Sequence, residues 1–104
     1  MEGNVKRNMF STVRRYEGVK DPAAAAKKVQ EVFVPLISAL PGFVEYRYID
    51  LGGGAMMSIT IFKSLAEAKA ANEKAIVWVK SHLSSVLESA VRMEAGPTVA
   101  YVGK

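Results

Sequence analysis

An α+β fold with the order β-α-β-β-α-β is predicted by three features of this chain. The first is the stretch from Gly42 to Ser64, GFVEYRYIDLGGGAMMSITIFKS, which reads as two strands joined by a three-glycine turn. The second is Asp21-Pro22, a helix start with Asp as N-cap and Pro at the first helical position. The third is the capping-box pattern Ser64 to Glu67, which opens a second helix beyond the hairpin.

The elements follow in order. Met1 to Arg7 is polar and is expected to fray. Asn8 to Glu17 reads as the first strand, with Phe10, Thr12, Arg14 and Tyr16 on one face. The first helix is expected from Asp21 to about Leu40, with Val29, Val32, Phe33, Leu36, Ile37 and Leu40 as its apolar stripe. Pro35 lies inside that stripe. It has no N–H to give Glu31, so a kink or break is expected there.

In the hairpin, Val44, Tyr46 and Tyr48 are expected on one face and Phe43, Glu45, Arg47 and Ile49 on the other. Gly52, Gly53 and Gly54 supply the positive φ that the reversal needs. The second helix is expected from Leu65 to about Ser89, its apolar face formed by Leu65, Ala68, Ala75, Ile76, Val79, Leu83 and Val86. A last strand from Val91 to Val102 is expected to break near Gly96-Pro97. This order is the ferredoxin-like split βαβ: one four-stranded antiparallel sheet with two helices on one face. Neither hairpin strand has a purely polar face. The face away from the helices therefore needs a cover, and a second copy in a two-fold dimer supplies one.

Bulk properties bound the function. At 104 residues the chain suits one domain, taken as 1–104, and with half its residues hydrophobic a core is expected. The net charge of +4 is scattered and no helix carries a basic stripe, so no nucleic-acid partner is expected. There is no cysteine, which excludes disulfides and thiolate chemistry and fits a reducing, cytoplasmic location. No apolar run approaches the ~20 residues that span a bilayer, so no membrane partner is expected. With a single His and no Cys, no metal site of the usual kind is expected. The GGG run has no helix directly behind it to receive a phosphate.

Two groups of residues could carry chemistry. Asn72 and His82 are polar residues on the apolar face of the second helix, with Trp78 at its margin. Burying either without a partner costs about 1–3 kcal/mol, so they either bond to the sheet or line a cavity. His82 is the group whose ordinary pKa suits a base near neutral pH, and Asn72 could hold an oxygen or a developing oxyanion. The second group is on the first strand. Arg14 and Tyr16 face one way and Arg15 the other. A guanidinium beside phenols could bind an anionic or phenolic ligand; alternatively it pairs with Glu45 or Glu17. Tyr46 and Tyr48 extend the aromatic surface.

The chain resembles the dimeric α+β-barrel proteins, the antibiotic-biosynthesis-monooxygenase-like superfamily. The resemblance is carried by TVRRYEG (Thr12 to Gly18), LPGFVEYRYID (Leu40 to Asp50) and SITIFKSLAEAKAANEKAIVWVKSHL (Ser58 to Leu83). It implies a ferredoxin-like subunit and a homodimer whose two sheets form a barrel. In the characterised oxygenases of this superfamily a pocket between sheet and helices holds an aromatic substrate among Asn, Trp, Tyr, His or Arg side chains. No metal or flavin takes part there, because the electron-rich substrate itself activates oxygen, so the resemblance implies no cofactor. If such a pocket exists here, His82 and Asn72 are the expected catalytic residues, and Trp78, Arg14, Tyr16 and Tyr46 the expected ligand-binding ones. The spacing of Asn72 and Trp78 differs from the quinone-forming pattern. Haem degradation is set aside, since Ser11 stands where that branch has an Asn and His82 comes only four residues after Trp78. The expected function is a cofactor-independent monooxygenase acting on a small aromatic or polyketide-like molecule; the alternative is a non-catalytic dimer that binds or senses a small ligand.

Overall fold

The structure, a computed structural model, describes residues 9–82 and 92–103, and all side chains within them but those of Val79 and His82. Strand β1 (Phe10–Tyr16) leads into a first helix of three consecutive pieces: α1 (Pro22–Lys28), a π-helical turn (Val29–Phe33) and α2 (Val34–Ser38). Strands β2 (Phe43–Gly52) and β3 (Ala55–Phe62) form the hairpin, α3 (Leu65–His82) is the second helix, and β4 (Arg92–Pro97) completes the sheet. All pairings are antiparallel and the strand order is β2-β3-β1-β4, the ferredoxin-like arrangement.

Local chemistry sets the boundaries. The Asp21 carboxylate accepts from the Ala24 N–H (3.1 Å) and caps α1, with Pro22 in the first turn. Ser64 and Glu67 make the expected capping box at α3: the Glu67 N–H donates to Ser64 Oγ (3.2 Å), and Ser64 Oγ donates to Glu67 Oε1 (2.9 Å). Gly53 and Gly54 turn the hairpin with φ of 62° and 84°. Gly42 has φ 80°, and a Cβ there would collide with the Glu67 carboxylate, so the start of β2 fits closely under the start of α3.

Pro35 produces the predicted irregularity, in the form of a widened turn. Its ring would clash with the carbonyl one turn back. The helix widens just before it, so that the Val34 N–H reaches Val29 O, five residues behind. This changes the buried stripe. Ala25, Val29, Phe33 and Ile37 are buried, whereas Val32 and Leu36, expected in the core, are 42% and 41% exposed. In α3 the buried stripe is Ala68, Ala71, Ala75 and Trp78, while Leu65 and Ile76 are exposed. Alanines let the helix lie close to a sheet that already supplies bulky rings. Leu83 and Val86, also expected in the core, lie outside the described residues, as do Val91 and the helix end predicted near Ser89.

Two β-bulges adjust β2. Phe43 pairs with Phe62 and Glu45 with Ile61, so one extra residue, Val44, is taken up between them. Phe43 therefore joins Tyr46 and Tyr48 on the helix side, contrary to strict alternation, and its ring packs edge-on to Phe62 at 5.9 Å. The second shift, between Asp50 and Gly52, leads into the turn, where Asp50 Oδ1 accepts from the Gly52 N–H (2.9 Å).

Phe33→Ala should destabilise the protein by about 3–5 kcal/mol and Leu36→Ala by no more than about 1 kcal/mol, as read by denaturant unfolding. Equal losses at both positions would mean that the phase of the helix after the π turn is wrong.

Candidate functional site

The register places the candidate residues on a grid. On the helix side of the sheet, Arg14 of β1 lies opposite Ser58 of β3, and Ser58 lies opposite Tyr48 of β2. One row further, Thr12, Thr60 and Tyr46 are aligned. Tyr16 pairs with Met56 at the hairpin end. The centre of this layer is thus polar and small, bordered by tyrosines and by Phe43 and Phe62.

Aromatic rings close over it. Tyr16 and Tyr48 meet edge-on at 6.5 Å, Phe33 of the π turn meets Tyr46 at 5.4 Å, and Phe33 meets Trp78 at 4.9 Å. Each such contact is worth roughly 0.5–1.5 kcal/mol beyond burial. Tyr48 donates its hydroxyl to Met56 Sδ (3.2 Å). On its outer side Trp78 lines a groove of about 520 Å³ with Leu36, Leu40, Val77, Glu73, Lys74 and Ser81. Leu36 and Val77, excluded from the core, form an apolar wall of this groove.

Arg14 is the unusual member. It is 7% exposed, and its Nη2 has no hydrogen-bond partner among the described residues. The carboxylates that could have paired with it are engaged on the opposite face. Glu17 binds Arg15 at 2.8 Å and Glu45 binds Arg47 at 2.7 Å. A guanidinium stays protonated, so Arg14 is a buried cation facing phenols rather than carboxylates.

The phenols themselves remain neutral. Burial raises the Tyr16 pKa, with the Arg14 charge and the Ser58 hydroxyl offsetting part of the rise. Burial, and then proximity to Tyr16 and Tyr48, pushes Tyr46 far above the ordinary tyrosine range. Tyr48 is pushed up to about 12, chiefly by burial and then by Tyr16 and Asp50.

Arg14, Tyr16, Tyr46 and Trp78 thus belong to one layer. No hydrogen bond or ring contact among the described residues joins Asn72 to that layer. Asn72 is half-buried beside the alanine stripe of α3 and makes no side-chain hydrogen bond among the described residues. Trp78, expected at the margin of the helix face, is instead on the buried stripe. His82 ends α3 one turn after Trp78, and its side chain lies outside those described. Sequence reasoning missed Thr60, which is fully buried with an unpartnered Oγ1, and Phe33 as a member of the site. Among the described residues, no group of three or more His, Cys, Asp or Glu gathers in a way that could hold a metal ion. No helix among them is long and apolar enough to cross a membrane.

No family model and no curated protein matches the sequence. Solved structures do match. A protein of unknown function from Nitrosomonas europaea, NE2512, superposes with a TM-score of 0.75 at 17% identity over 95% of this chain and 97% of that one. SnoaB, a cofactor-independent oxygenase from Streptomyces nogalater, gives 0.71 at 13% identity, covering 93% and 99%. The ActVA-Orf6 monooxygenase of Streptomyces coelicolor, solved with nanaomycin D, gives 0.64 at 20% identity, covering both chains in full. The fold is the one found in antibiotic-biosynthesis-monooxygenase-like structures. At these identities the likeness concerns the fold alone.

The phenols give a pH dependence. A group whose proton is held more tightly in the folded state than in the unfolded one contributes no pH dependence below the unfolded value, here about pH 10. Above it, unfolding releases protons and stability falls, through about pH 12 for Tyr48. Unfolding at constant denaturant should therefore become steeply base-dependent above about pH 10, and Tyr48→Phe should reduce the slope by close to one proton. Phenolate absorbance appearing for all four tyrosines before any loss of fold would overturn the assignment.

Proposed function

We propose that two copies of this chain pair through the outer faces of their sheets into a barrel. In this reading each copy binds a small aromatic or polyketide-like molecule between sheet and helices and acts as a cofactor-independent monooxygenase on it. The observation that carries the reading is Arg14: a buried cation, unpaired by any described carboxylate, in the same helix–sheet layer as the tyrosine rings and Trp78. Such a charge favours an ionised, electron-rich aromatic, the state in which a substrate reduces oxygen without help. Trp78 stacks on the ring. Arg14, Tyr16 and Tyr46 bind its oxygens, His82 takes the phenolic proton, and Asn72 holds the oxygen. The oxygenases SnoaB and ActVA-Orf6 share the fold and support the choice of reaction.

The outer face supports pairing. Val13, Ile49, Met57 and Ile59 form a half-exposed apolar stripe there. The ion pairs Arg15–Glu17, Arg47–Glu45 and Arg92–Glu94 border it, the pattern of an apolar interface core with a polar rim. Light scattering at micromolar concentration should give about twice the 11.3 kDa chain mass; a clean monomer would overturn the barrel.

A second reading, a dimer that binds its ligand without turning it over, is favoured by the phenols. All three are held neutral, so none of them accepts a proton near neutral pH. Oxygen uptake separates the two. Hydroxylated aromatic ligands should quench the single tryptophan. If the protein is an oxygenase, those that quench should also consume oxygen, and His82→Ala should lower turnover at least tenfold while leaving the quenching intact. Quenching without oxygen uptake by any ligand selects the binding dimer. Neither signal from any aromatic compound would sink both.

A further inference from the structure

Arg14 Nη2 is not the only orphan in the helix–sheet layer. Thr60 Oγ1 is also buried without a partner, and the Thr60 side chain is only 2% exposed. The two residues occupy diagonal positions on neighbouring strands: Arg14 lies opposite Ser58, and Thr60 is the next helix-facing residue along β3. Side chains at such positions come within reach of each other's ligands. Ser58, directly opposite Arg14 and two residues before Thr60 on β3, already serves Tyr16 and Tyr46.

From this pairing we infer that Arg14 and Thr60 form a clamp for one anionic oxygen, the carboxylate or phenolate oxygen of an aromatic acid. A guanidinium N–H only donates, and a hydroxyl has one hydrogen to give. A single oxygen accepting from both spans roughly 5–6 Å between the donor atoms. A water molecule would satisfy the hydrogen bonds but leave the buried charge uncompensated, and an anion does both. Two donors are too few for a phosphate dianion, so the ligand is a monoanion. The tyrosine hydroxyls add neutral contacts around it, and Phe33 and Trp78 supply the apolar wall for its ring.

The inference rests on the proposed site between sheet and helices, and the test separates the two. Calorimetry on the whole protein, at a pH where both acids are ionised, would compare benzoate with methyl benzoate and 4-nitrophenol with 4-nitroanisole. Each anion should bind at least about tenfold more tightly than its neutral partner. Arg14→Met and Thr60→Val should each bring the ratio of anion to neutral affinity down to within about twofold of one. Benzoate and 4-nitrophenol responding differently would identify which oxygen the clamp takes. Arg14→Met should also raise Tm, because it removes an unpaired buried charge, whereas a residue kept for structure would lower it. Equal affinity for anion and neutral partner in the wild type overturns the clamp even if the neutral compounds bind and quench Trp78, in which case the proposed site stands. A preference untouched by Thr60→Val also overturns it. Anion preference without oxygen uptake keeps the clamp and sinks the oxygenase. No binding of any of the four compounds sinks both.

Discussion

Pro35 has no N–H to give, and much of this structure follows from how the first helix meets that constraint. Residues four apart on an α-helix are turned about 400° from each other, so a stripe of fours drifts by roughly 40° at each step. Ala25, Val29, Phe33 and Ile37 are such a stripe, and all four are buried. The wide turn from Val29 to Phe33 takes back part of the drift and lets one line of side chains stay on the sheet throughout. Phe33 is thereby held over Tyr46 and against Trp78. The same turn carries Leu36 outward to the wall of the groove. One missing hydrogen-bond donor thus sets both the packing over the tyrosines and the opening beside them.

The sheet beneath is built in the reverse of the usual manner. The middle of its two central strands presents Thr12, Arg14, Ser58 and Thr60 to the helices, and the large side chains sit at the strand ends (Phe10 and Phe62, Tyr16 and Met56), on the neighbouring β2 and above. A polar floor under an apolar roof lowers stability, since every buried hydroxyl and guanidinium must find partners. Ser58 finds them and two of its neighbours do not. Under the proposed function, these local violations mark the binding site in an otherwise consistent fold.

Most of the architecture was legible because its signals are local. Asp21-Pro22, the Ser64–Glu67 box and the glycine turn each act over a few residues, and each formed as expected. Strand alternation correctly put Arg14 and Tyr16 on one face. It failed for Phe43, because a bulge at Val44 is a property of pairing and not of composition. The helix faces are legible only in part: Val29, Phe33, Ile37, Ala68 and Ala75 are buried as expected, whereas the π turn carries Val32 and Leu36 outward, and in α3 the close approach that small residues allow buries Ala71 and leaves Leu65 and Ile76 exposed. Thr60 could not be singled out at all. In the sequence it is an ordinary strand threonine, and its missing partner exists only once three strands and two helices have met.

The segment after β4 ties the two borders of the sheet together. Thr98 donates its N–H to Met9 O at 2.8 Å and shares a hydroxyl contact with Ser11. Three residues on, the Tyr101 hydroxyl donates to Glu45 Oε1 of β2 at 3.0 Å. Ser11 and Glu45 both lie on the face opposite the helices, so the segment passes beneath β1 and β3 from one edge strand to the other, where Ile61 is buried. Tension applied along it would reach β2 before it reached β4. The part-buried Tyr101 contact is met first and the Thr98 anchor second, so the load is shed in two stages instead of peeling an edge strand away in one.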